Sequence, residues 1–303
     1  MKAHLIANSR SGKGAGGTLP EVAHKICQEN NVELVHHEVR EGVDMDQLAA
    51  EAVDAASEDG GIVIAAGGDG TIRCVAQKAA GRTVKFAVVP CGTFNFFART
   101  HRVPENVEEA FRLAVTGETR AVRLGEVNGH IFLINASLGL YAKAIREREQ
   151  RTSHWGRNRF VVIISTILSL LSRHHLLNVE MTTGDRKLTL RTPMIFIGNN
   201  SLQLRDLQMS IAKCMKLDLL AVVLMKPLSK LETLRVIFRG IFKTIEKEER
   251  LDSFCVESLT IHTRKSHQMV ALDGEIFTMT SPLKVHALPK ILNMVLPPKI
   301  ETP

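Results

Sequence analysis

The chain has 303 residues, 45% of them hydrophobic and 23% charged, a composition that excludes a disordered or fibrous protein and predicts about two domains. A formal charge of +7 and an isoelectric point near 9.3 favour an anionic partner, such as a nucleotide or an acidic lipid surface. With one Trp and one Tyr, stacking platforms for single-stranded nucleic acid are scarce, and we do not expect nucleic-acid binding.

The cysteines and the apolar segments indicate the cellular compartment of the protein. The five cysteines are scattered, odd in number and without C-x-x-C spacing, which predicts neither a disulfide framework nor a zinc site and suits a reducing cytoplasm. The N-terminus has no apolar core of a signal peptide. The longest apolar stretch, Phe160 to Leu171, is about two-thirds of the length that crosses a bilayer. We expect a cytoplasmic protein, with peripheral contact at the inner face of the membrane as an option.

Strand-like and helix-like runs alternate over the first 122 residues. The predicted strands are Lys2–Ala7, Val32–Val39, Gly61–Ala66 and Val84–Pro90, and the predicted helices are Leu19–Glu29, Met45–Ser57, Thr71–Ala80 and Asn106–Thr116. This alternation is typical of a parallel sheet with crossover helices. Residues 1–122 are therefore predicted to form an α/β domain.

Beyond residue 122 the runs become short and rich in β-formers. The predicted strands are Ile131–Asn135, Leu177–Thr182, Lys187–Leu190, Met194–Gly198, Leu217–Leu224, Val256–His262 and Met269–Leu272, and the helical candidates between them are Arg159–Arg173 and Leu228–Lys247. Residues 123–288 are predicted to form a second, mainly antiparallel domain.

The third predicted strand ends in Gly67-Gly68-Asp69-Gly70-Thr71, three glycines around one carboxylate. Glycine adopts positive φ and lets backbone N–H groups approach an anion, and the helix that follows adds its N-terminal dipole. A carboxylate beside phosphate oxygens is repelled unless it binds a metal ion, orients one through water or takes a hydroxyl proton. The turn is predicted to handle phosphate, with an ordinary tight turn between strand and helix as the alternative.

Two further loops follow predicted strands. The first, Asn8 to Gly17, has the G-x-G-x-x-G spacing of a dinucleotide site. Such a site also needs an acidic residue at the end of strand two, and there this chain has Glu38 followed closely by basic Arg40. The support for a dinucleotide site is therefore weak. The second, Pro90 to Arg99, follows the fourth strand. Loops at the carboxyl ends of parallel strands meet at one crevice, where such sheets bind ligands.

A last motif, Asp273-Gly274-Glu275, follows the predicted strand Met269–Leu272. Glycine permits a sharp bend there, so that one loop presents two carboxylates. Phosphoryl transfer to an alcohol requires charge neutralisation, in-line positioning and an acceptor for one proton. The alternative is an ordinary hairpin tip, where the sequence Asp-Gly-Glu is common.

Five motifs occur in the following order: Asn8…Ser11-Gly12, Gly67-Gly68-Asp69-Gly70-Thr71, Gly92-Thr93-Phe94-Asn95-x-Phe97-Ala98-Arg99, Asn135-Ala136-Ser137-Leu138-Gly139 and Asp273-Gly274-Glu275. In that order they resemble the diacylglycerol kinase catalytic-domain family, which includes sphingosine kinases and bacterial lipid kinases. The resemblance spans nearly the whole chain. The Gly-Gly-Asp-Gly-Thr motif alone is also similar to that of NAD kinases.

The resemblance implies an ATP-binding α/β domain, a sandwich-like antiparallel domain and an active-site cleft between them, with a strand near Ile291–Leu296 returning residues 289–303 to the first domain. It implies ATP and Mg²⁺ as cofactors and transfer of the γ-phosphoryl group to a hydroxyl of diacylglycerol or a related lipid alcohol. The residues that it implies for the nucleotide are Asn8, Ser9, Arg10, Ser11, Gly12, Arg40, Ala66, Gly67, Gly68, Asp69, Gly70, Thr71, Gly92, Thr93 and Asn95. Glu275 would be the general base, with Asp273 and Asp69 as further catalytic residues.

The chain departs from the family pattern at three places. Phe96 stands where many members carry Asp, and Arg40 where members often place a nucleotide-contacting Thr. Cys214-Met215 aligns with an Asp-Gly turn that holds a structural magnesium, which leaves Asp69 and Asp218 as the candidate metal ligands. Two alternatives therefore stay open: an NAD kinase-like phosphotransferase acting on a soluble substrate, and a nucleotide- or lipid-binding member with weakened catalysis.

The predicted helix Leu228–Lys247 carries a basic stripe, Arg235, Arg239, Lys243 and Lys247, at i, i+4 spacing beside an apolar face. Such a helix can lie on an anionic bilayer surface, where an enzyme of membrane-embedded lipids must work. The alternative is an amphipathic helix packed on the second domain with a solvated basic edge.

Overall fold

The computed structural model describes residues 1–7, 19–39, 42–140, 142–143, 145–146, 176–206, 210–227 and 251–298. The chain divides into two compact units, Met1–Leu124 with Leu288–Pro303 and Gly125–Ala287. The predicted first loop and the predicted helices Arg159–Arg173 and Leu228–Lys247 lie outside the described residues. Within the ranges given above, no helix combines the length and the apolarity that crossing a membrane requires.

The first unit is built on a parallel sheet. Its strands are β1 (Lys2–Ala7), β2 (Glu33–Glu38), β3 (Ile62–Gly67) and β4 (Lys85–Pro90), and its helices are α1 (Leu19–Glu29), α2 (Met45–Glu58), α3 (Asp69–Ala79), α4 (Phe96–Thr100) and α5 (Val107–Thr116). The strand order is β2-β1-β3-β4, and each neighbouring pair is parallel. Every residue of β3 is buried, as expected for the central strand of a sheet that is covered on both faces. The predicted α/β fold with crossover helices is confirmed.

The second unit is a sandwich of antiparallel strands. It contains the end of β5 (Glu118–Val127), then β6 (His130–Phe132), β7 (Asn135–Gly139), β8 (Leu177–Thr183), β9 (Arg186–Thr192), β10 (Met194–Gly198), α6 (Ser201–Asp206), a 3₁₀ helix (Ser210–Leu217), β11 (Leu220–Met225), β12 (Leu251–Val256), β13 (Ser258–Thr263), β14 (His267–Leu272) and β15 (Glu275–Thr280). One sheet has the order β12-β11-β10-β7-β14-β15, while β9, β8 and β13 pair in a second layer. Side chains of both layers, such as Leu138 and Ile261, share one buried core. The predicted antiparallel domain is confirmed.

Strand β16 (Leu283–Leu296) contributes to both units. Its first residues pair antiparallel with β13, where Val285 lies opposite Leu259. Further along the strand, Met294 lies beside Phe86 of β4 in parallel orientation. The last strand of the chain therefore adds to the parallel sheet of the first unit.

Several predicted strands of the second unit have different boundaries. The predicted strand Ile131–Asn135 is interrupted, because the chain bends between β6 and β7. The predicted strand Leu217–Leu224 begins only at Leu220, after the 3₁₀ helix, and the predicted strand Val256–His262 is two strands that meet near Glu257. Alternating apolar residues locate such strands, but they do not reveal where a bend divides them.

The prediction that the cysteines form no disulfide is wrong. Cys214 in the 3₁₀ helix is bonded to Cys255 in β12, with their Cα atoms 5.5 Å apart and a sequence separation of 41. Both cysteines belong to an apolar cluster that includes Phe196, Ala221 and Val223. Local spacing rules do not detect a pair that only the tertiary fold brings together. The cysteine pattern therefore gives no support to a reducing compartment.

We expect the double variant Cys214→Ser/Cys255→Ser to lose about 4 kcal/mol of unfolding free energy, because the bond closes a 41-residue loop of the unfolded chain. Urea denaturation of both proteins measures the loss. Reductant should destabilise the native protein and leave the double variant unaffected. Alkylation of the unfolded, unreduced protein should label Cys27, Cys74 and Cys91 only, and labelling of all five cysteines would contradict the bond.

Candidate active site

The turn after β3 differs from its prediction in two ways. Helix α3 begins at Asp69 and not at Thr71, with Gly68 as its N-cap residue in extended conformation (φ −82°, ψ 175°). The expected positive φ is wrong, because Gly67, Gly68 and Gly70 are not among the glycines with positive φ. The turn is therefore a direct entry from strand into helix, and the first N–H groups of α3 are available to an anion at its N-terminus.

Glycine is required here for close approach of two loops. A Cβ atom on Gly67 would lie 2.7 Å from the Thr71 Cβ atom. A Cβ atom on Gly92, in the loop after β4, would lie 2.9 Å from the Cα atom of Gly68 and 2.8 Å from Asn95 Oδ1. The backbone N–H of Cys91 also donates to the Gly67 carbonyl over 2.8 Å. The two loops are thus packed backbone against backbone.

Asn95 shapes the loop after β4. Its backbone is left-handed (φ 49°) at the N-cap of α4, a conformation that Asn tolerates better than most residues. Its Oδ1 atom accepts from the Gly92 N–H over 2.9 Å, and its Nδ2 atom donates to the Gly92 carbonyl over 3.1 Å. Thr93 is exposed at the tip of this loop, and Phe94 stacks on Phe96 with ring centroids 5.7 Å apart. The side chain of Asn95 therefore supports the loop that presents Thr93.

Asp69 lies where the two loops meet. Its carboxylate accepts from the backbone N–H groups of Phe97 and Phe96, while its Oδ1 atom is buried without a hydrogen-bond partner. Burial raises the pKa of this carboxyl above its ordinary value, and the two N–H groups partly oppose that rise. A buried carboxylate oxygen without a partner fits a cation or a cation-bound water. Phe96 thus contributes its backbone where an acidic side chain is missing, a contact that the sequence analysis did not find.

The carboxyl ends of the four parallel strands lie at one edge of the sheet. In the parallel register Ala7 lies beside Ala66 and beside Glu38, and Gly67 lies beside Pro90. The loops after β1, β3 and β4 therefore leave the sheet as neighbours. The predicted nucleotide residues Asn8, Ser9, Arg10, Ser11, Gly12 and Arg40 lie outside the described residues.

In the second unit, Asp273 and Gly274 form the two-residue turn between β14 and β15. Both have positive φ, 50° and 93°, which matches the twist of a tight hairpin. The Asp273 carboxylate accepts from the backbone N–H of Leu133 (2.7 Å), Ile134 (2.7 Å) and Asn135 (3.0 Å). The carboxylate therefore fixes the bend between β6 and β7. Glu275 opens β15 beside this turn, opposite Leu272.

Comparison with known proteins identifies the first unit. Residues 2–127 match the family model described as Diacylglycerol kinase catalytic domain. Over this segment the chain is similar to the diacylglycerol kinase catalytic-domain family. This segment contains the Gly67–Thr71 turn and the loop after β4, so the packed loops around Asp69 lie within the matched region.

Individual relatives extend the comparison. The chain is 34% identical over 146 residues to a "Probable lipid kinase YegS-like" of Enterobacter sp. (strain 638), covering 46% of this chain and 46% of that protein. It is 31% identical over 152 residues to a "Diacylglycerol kinase" of Staphylococcus haemolyticus (strain JCSC1435), covering 49% and 45%. The chain thus spans about half the length of the curated relatives it matches. A crystal structure of a diacylglycerol kinase from Bacillus anthracis str. Sterne shares the fold, with TM-score 0.68, 18% identity, and coverage of 98% of this chain and 97% of that one.

The two candidate metal ligands differ in their surroundings. Asp69 has the unpartnered buried oxygen described above, which suits Mg²⁺ as it is bound in nucleotide sites, through few protein oxygens and several waters. Asp218 precedes β11 and has a left-handed backbone (φ 56°). Cys214, four residues earlier, is bonded to Cys255. Over the part of the chain that the structure describes, no three His, Cys, Asp or Glu side chains are grouped to hold a metal. A metal ion at Asp218 stays a prediction.

For this diacylglycerol kinase-like chain, we expect Asp273→Asn to lower the unfolding free energy by about 3 kcal/mol. An amide keeps the size of the carboxylate but turns an NH₂ group towards one of the three donor N–H groups. Urea denaturation checks the loss, with Asp185→Asn in the exposed turn between β8 and β9 as the matched control. Equal stability of the two variants would show that the three hydrogen bonds contribute little.

Proposed function

We propose that the chain is an ATP-dependent lipid kinase that transfers the γ-phosphoryl group to a hydroxyl of diacylglycerol or a related lipid alcohol. The observation that carries this proposal is the buried, unpartnered Oδ1 atom of Asp69 between two packed loops, in a segment that matches the diacylglycerol kinase catalytic domain. Such an acidic group is expected where a metal ion accompanies the nucleotide.

The proposed nucleotide site uses backbone as much as side chains. The Gly67–Thr71 turn would present the N-terminus of α3 to phosphate oxygens, with Thr93 exposed on the adjoining loop. Asn8 to Gly12 and Arg40 follow the neighbouring strands β1 and β2 and would contact the phosphates and ribose. Bound ATP supplies the phosphoryl group, and Mg²⁺ neutralises its charge. Asp69 would hold that ion, directly or through water.

The residues proposed to act on the lipid hydroxyl belong to the second unit. Glu275 would take the proton of the lipid hydroxyl, since a carboxylate is a competent general base for an alcohol whose oxygen attacks the γ-phosphoryl group. Asp273 uses both carboxylate oxygens on the 133–135 backbone. We therefore assign Asp273 to holding the hairpin tip in place, and Glu275 to the proton transfer.

Peripheral membrane contact is part of the proposal. The charge of +7 and the basic stripe of Leu228–Lys247 would bring the protein to an anionic surface where its substrate is embedded. Sedimentation with liposomes of neutral and anionic composition tests this point separately from catalysis. Binding that is independent of anionic lipid would contradict the electrostatic attraction.

The central experiment is a labelled-ATP screen with Mg²⁺ over diacylglycerol, sphingoid bases and phosphatidylglycerol in mixed micelles, with Asp69→Asn and Glu275→Gln as controls. Label in one lipid, lost in both variants, supports the proposal. Label only in a soluble acceptor without detergent favours the NAD kinase-like alternative. ATP binding without any turnover favours a weakened member, for which Phe96 in place of an acidic side chain is the specific argument.

A further inference from the structure

Three polar side chains form a hydrogen-bonded row between the parallel sheet and the end of helix α2. His4 of β1 is 3% exposed, and its Nε2 atom lies 2.9 Å from Oδ2 of Asp59, the C-cap residue of α2. On the other side of the ring, His4 Nδ1 lies 3.1 Å from Nε2 of His37 in β2. Both nitrogens of a buried imidazole are therefore hydrogen-bonded, one to the neighbouring strand and one to the end of the helix that packs on β1.

The two hydrogen bonds limit how many protons the row can hold. A neutral His4 donates to Asp59 from Nε2 and accepts from His37 at Nδ1, whether His37 is neutral or charged. A charged His4 donates from both nitrogens, so His37 must then be neutral and accept. If both rings are charged, two N–H groups face each other across 3.1 Å and the bond between the rings is lost. The row therefore keeps its bonds with one positive charge on the two rings, but not with two.

The groups around His37 oppose a second proton. Burial lowers the pKa of His37 below its ordinary 6.5 most strongly. Repulsion by His4, and more weakly by His36 on the same strand, lowers this pKa further, whereas Glu51 of α2 raises it. The unfolded chain therefore binds more protons than the native protein once the pH is below about 6.5. The contribution of His37 to stability is present above that pH and is lost as the pH falls below it.

Asp59 stays an acceptor over the same pH range. The hydrogen bond from His4 holds the pKa of the Asp59 carboxyl below its ordinary value, and Lys2 of β1 acts in the same direction. Lys2 Nζ lies 3.8 Å from the Oδ2 atom that is bonded to His4. The proton that changes the row in weakly acidic solution is therefore taken up by the imidazole pair.

Strand β2 is the part of the sheet that this row can affect. It is the outermost strand in the order β2-β1-β3-β4, and among the described strands it pairs with β1. None of its six residues is buried, whereas every residue of β3 is. A strand with so little buried surface opens at low free-energy cost, so one hydrogen bond is a large share of its local stability.

We propose that His4, His37 and Asp59 form an acid-sensitive latch, which holds β2 against β1 and the end of α2 at neutral pH and loosens β2 when both imidazoles are charged. The inference does not depend on the proposed kinase function. Strand β2 ends at Glu38, two residues before Arg40. Loosening would therefore reach the strand that leads to a residue proposed to contact the nucleotide.

The test is amide hydrogen exchange at pH 7 and pH 5, expressed as protection factors so that the intrinsic pH dependence of exchange is removed. In native protein the protection of β2 should fall about fivefold relative to that of β3 at pH 5, the size of one hydrogen bond. In His37→Gln the side-chain amide donates to His4 Nδ1 and takes up no proton, so β2 should keep its protection at both pH values. His24→Gln on the exposed face of α1 is the matched control and should behave as native protein does.

Two exchange results would overturn the inference: equal relative protection of β2 at both pH values in native protein, or a loss in His37→Gln as large as the native loss. If His37→Gln has already lost the protection of β2 at pH 7, the imidazole titration of native protein, followed by NMR, decides instead. The His37 ring should titrate below pH 6.5, and the His4 signals should shift in the same step because the two rings are coupled. A His37 ring that titrates at or above pH 6.5 would exclude the latch.

Discussion

Replacing Glu275 by Gln is expected to lower kcat for lipid phosphorylation about 10²–10⁴-fold, the contribution of a general base, while KM for ATP stays nearly unchanged. Gln has the size of Glu but cannot take the proton of the lipid hydroxyl. Glu275 opens β15 opposite Leu272 and stands outside the three hydrogen bonds of Asp273. Because Gln has the size of Glu, we expect the variant to fold. Initial rates with labelled ATP and saturating lipid measure the effect.

The matched control for this variant is Glu257→Gln, an exposed glutamate of the same unit. It should retain full activity. Asp273→Asn provides a second comparison, because it should lose stability together with activity, whereas Glu275→Gln should lose activity alone. A native rate in the Glu275→Gln protein would show that another group accepts the proton.

Replacing Asp69 by Asn is expected to lower kcat about 10²-fold or more and to raise the Mg²⁺ concentration needed for half-maximal rate. The same change should stabilise the nucleotide-free protein. Folding raises the pKa of the Asp69 carboxyl, so its ionised form costs free energy in the native state at neutral pH. Neutral Asn avoids that cost. Rates as a function of Mg²⁺, and urea denaturation at neutral and acidic pH, measure the two effects.

The sign of the stability change distinguishes this explanation from simple damage to the site. The gain over native protein should be present at pH 7 and should disappear as the pH falls through the acidic range, where the native carboxyl becomes protonated in both states. Asp54→Asn on α2, which removes only an exposed pairing with Arg82, should change neither rate nor Mg²⁺ dependence. A destabilised Asp69→Asn protein would show that its contacts with Phe96 and Phe97 outweigh the burial of charge.

The parts of the fold that follow from local patterns could be predicted. Lys2–Ala7, Leu19–Glu29 and Met194–Gly198 have the boundaries that their apolar periods predict. The start of α3 was missed by two residues, because Gly68 serves as its N-cap without a capping side chain. The sequence located the glycines of that turn but not the reason for them. A side chain there would clash with Thr71 or with the loop after β4, whereas none of these glycines has a positive φ.

Contacts between residues that are distant in sequence could not be predicted from the sequence. Asp273 was predicted from its motif, but its three donors lie 138 to 140 residues earlier in the chain. Cys214 and Cys255 meet only because β11 and β12 pair and the 3₁₀ helix packs beside them. The unpartnered oxygens of Asn135 and Ser137 likewise depend on which side chains the sheet places opposite them. Such features require tertiary packing, which a single sequence does not specify residue by residue.

The position of β16 has a consequence for the order in which the protein can be completed during synthesis. The catalytic-domain match ends at residue 127, yet Met294, which lies beside Phe86 of β4, emerges from the ribosome only after the second unit, Gly125–Ala287. Until then β4 presents unpaired N–H and C=O groups on that side, the kind of edge at which chains aggregate. The first unit therefore reaches its finished sheet only after the whole second unit has been made.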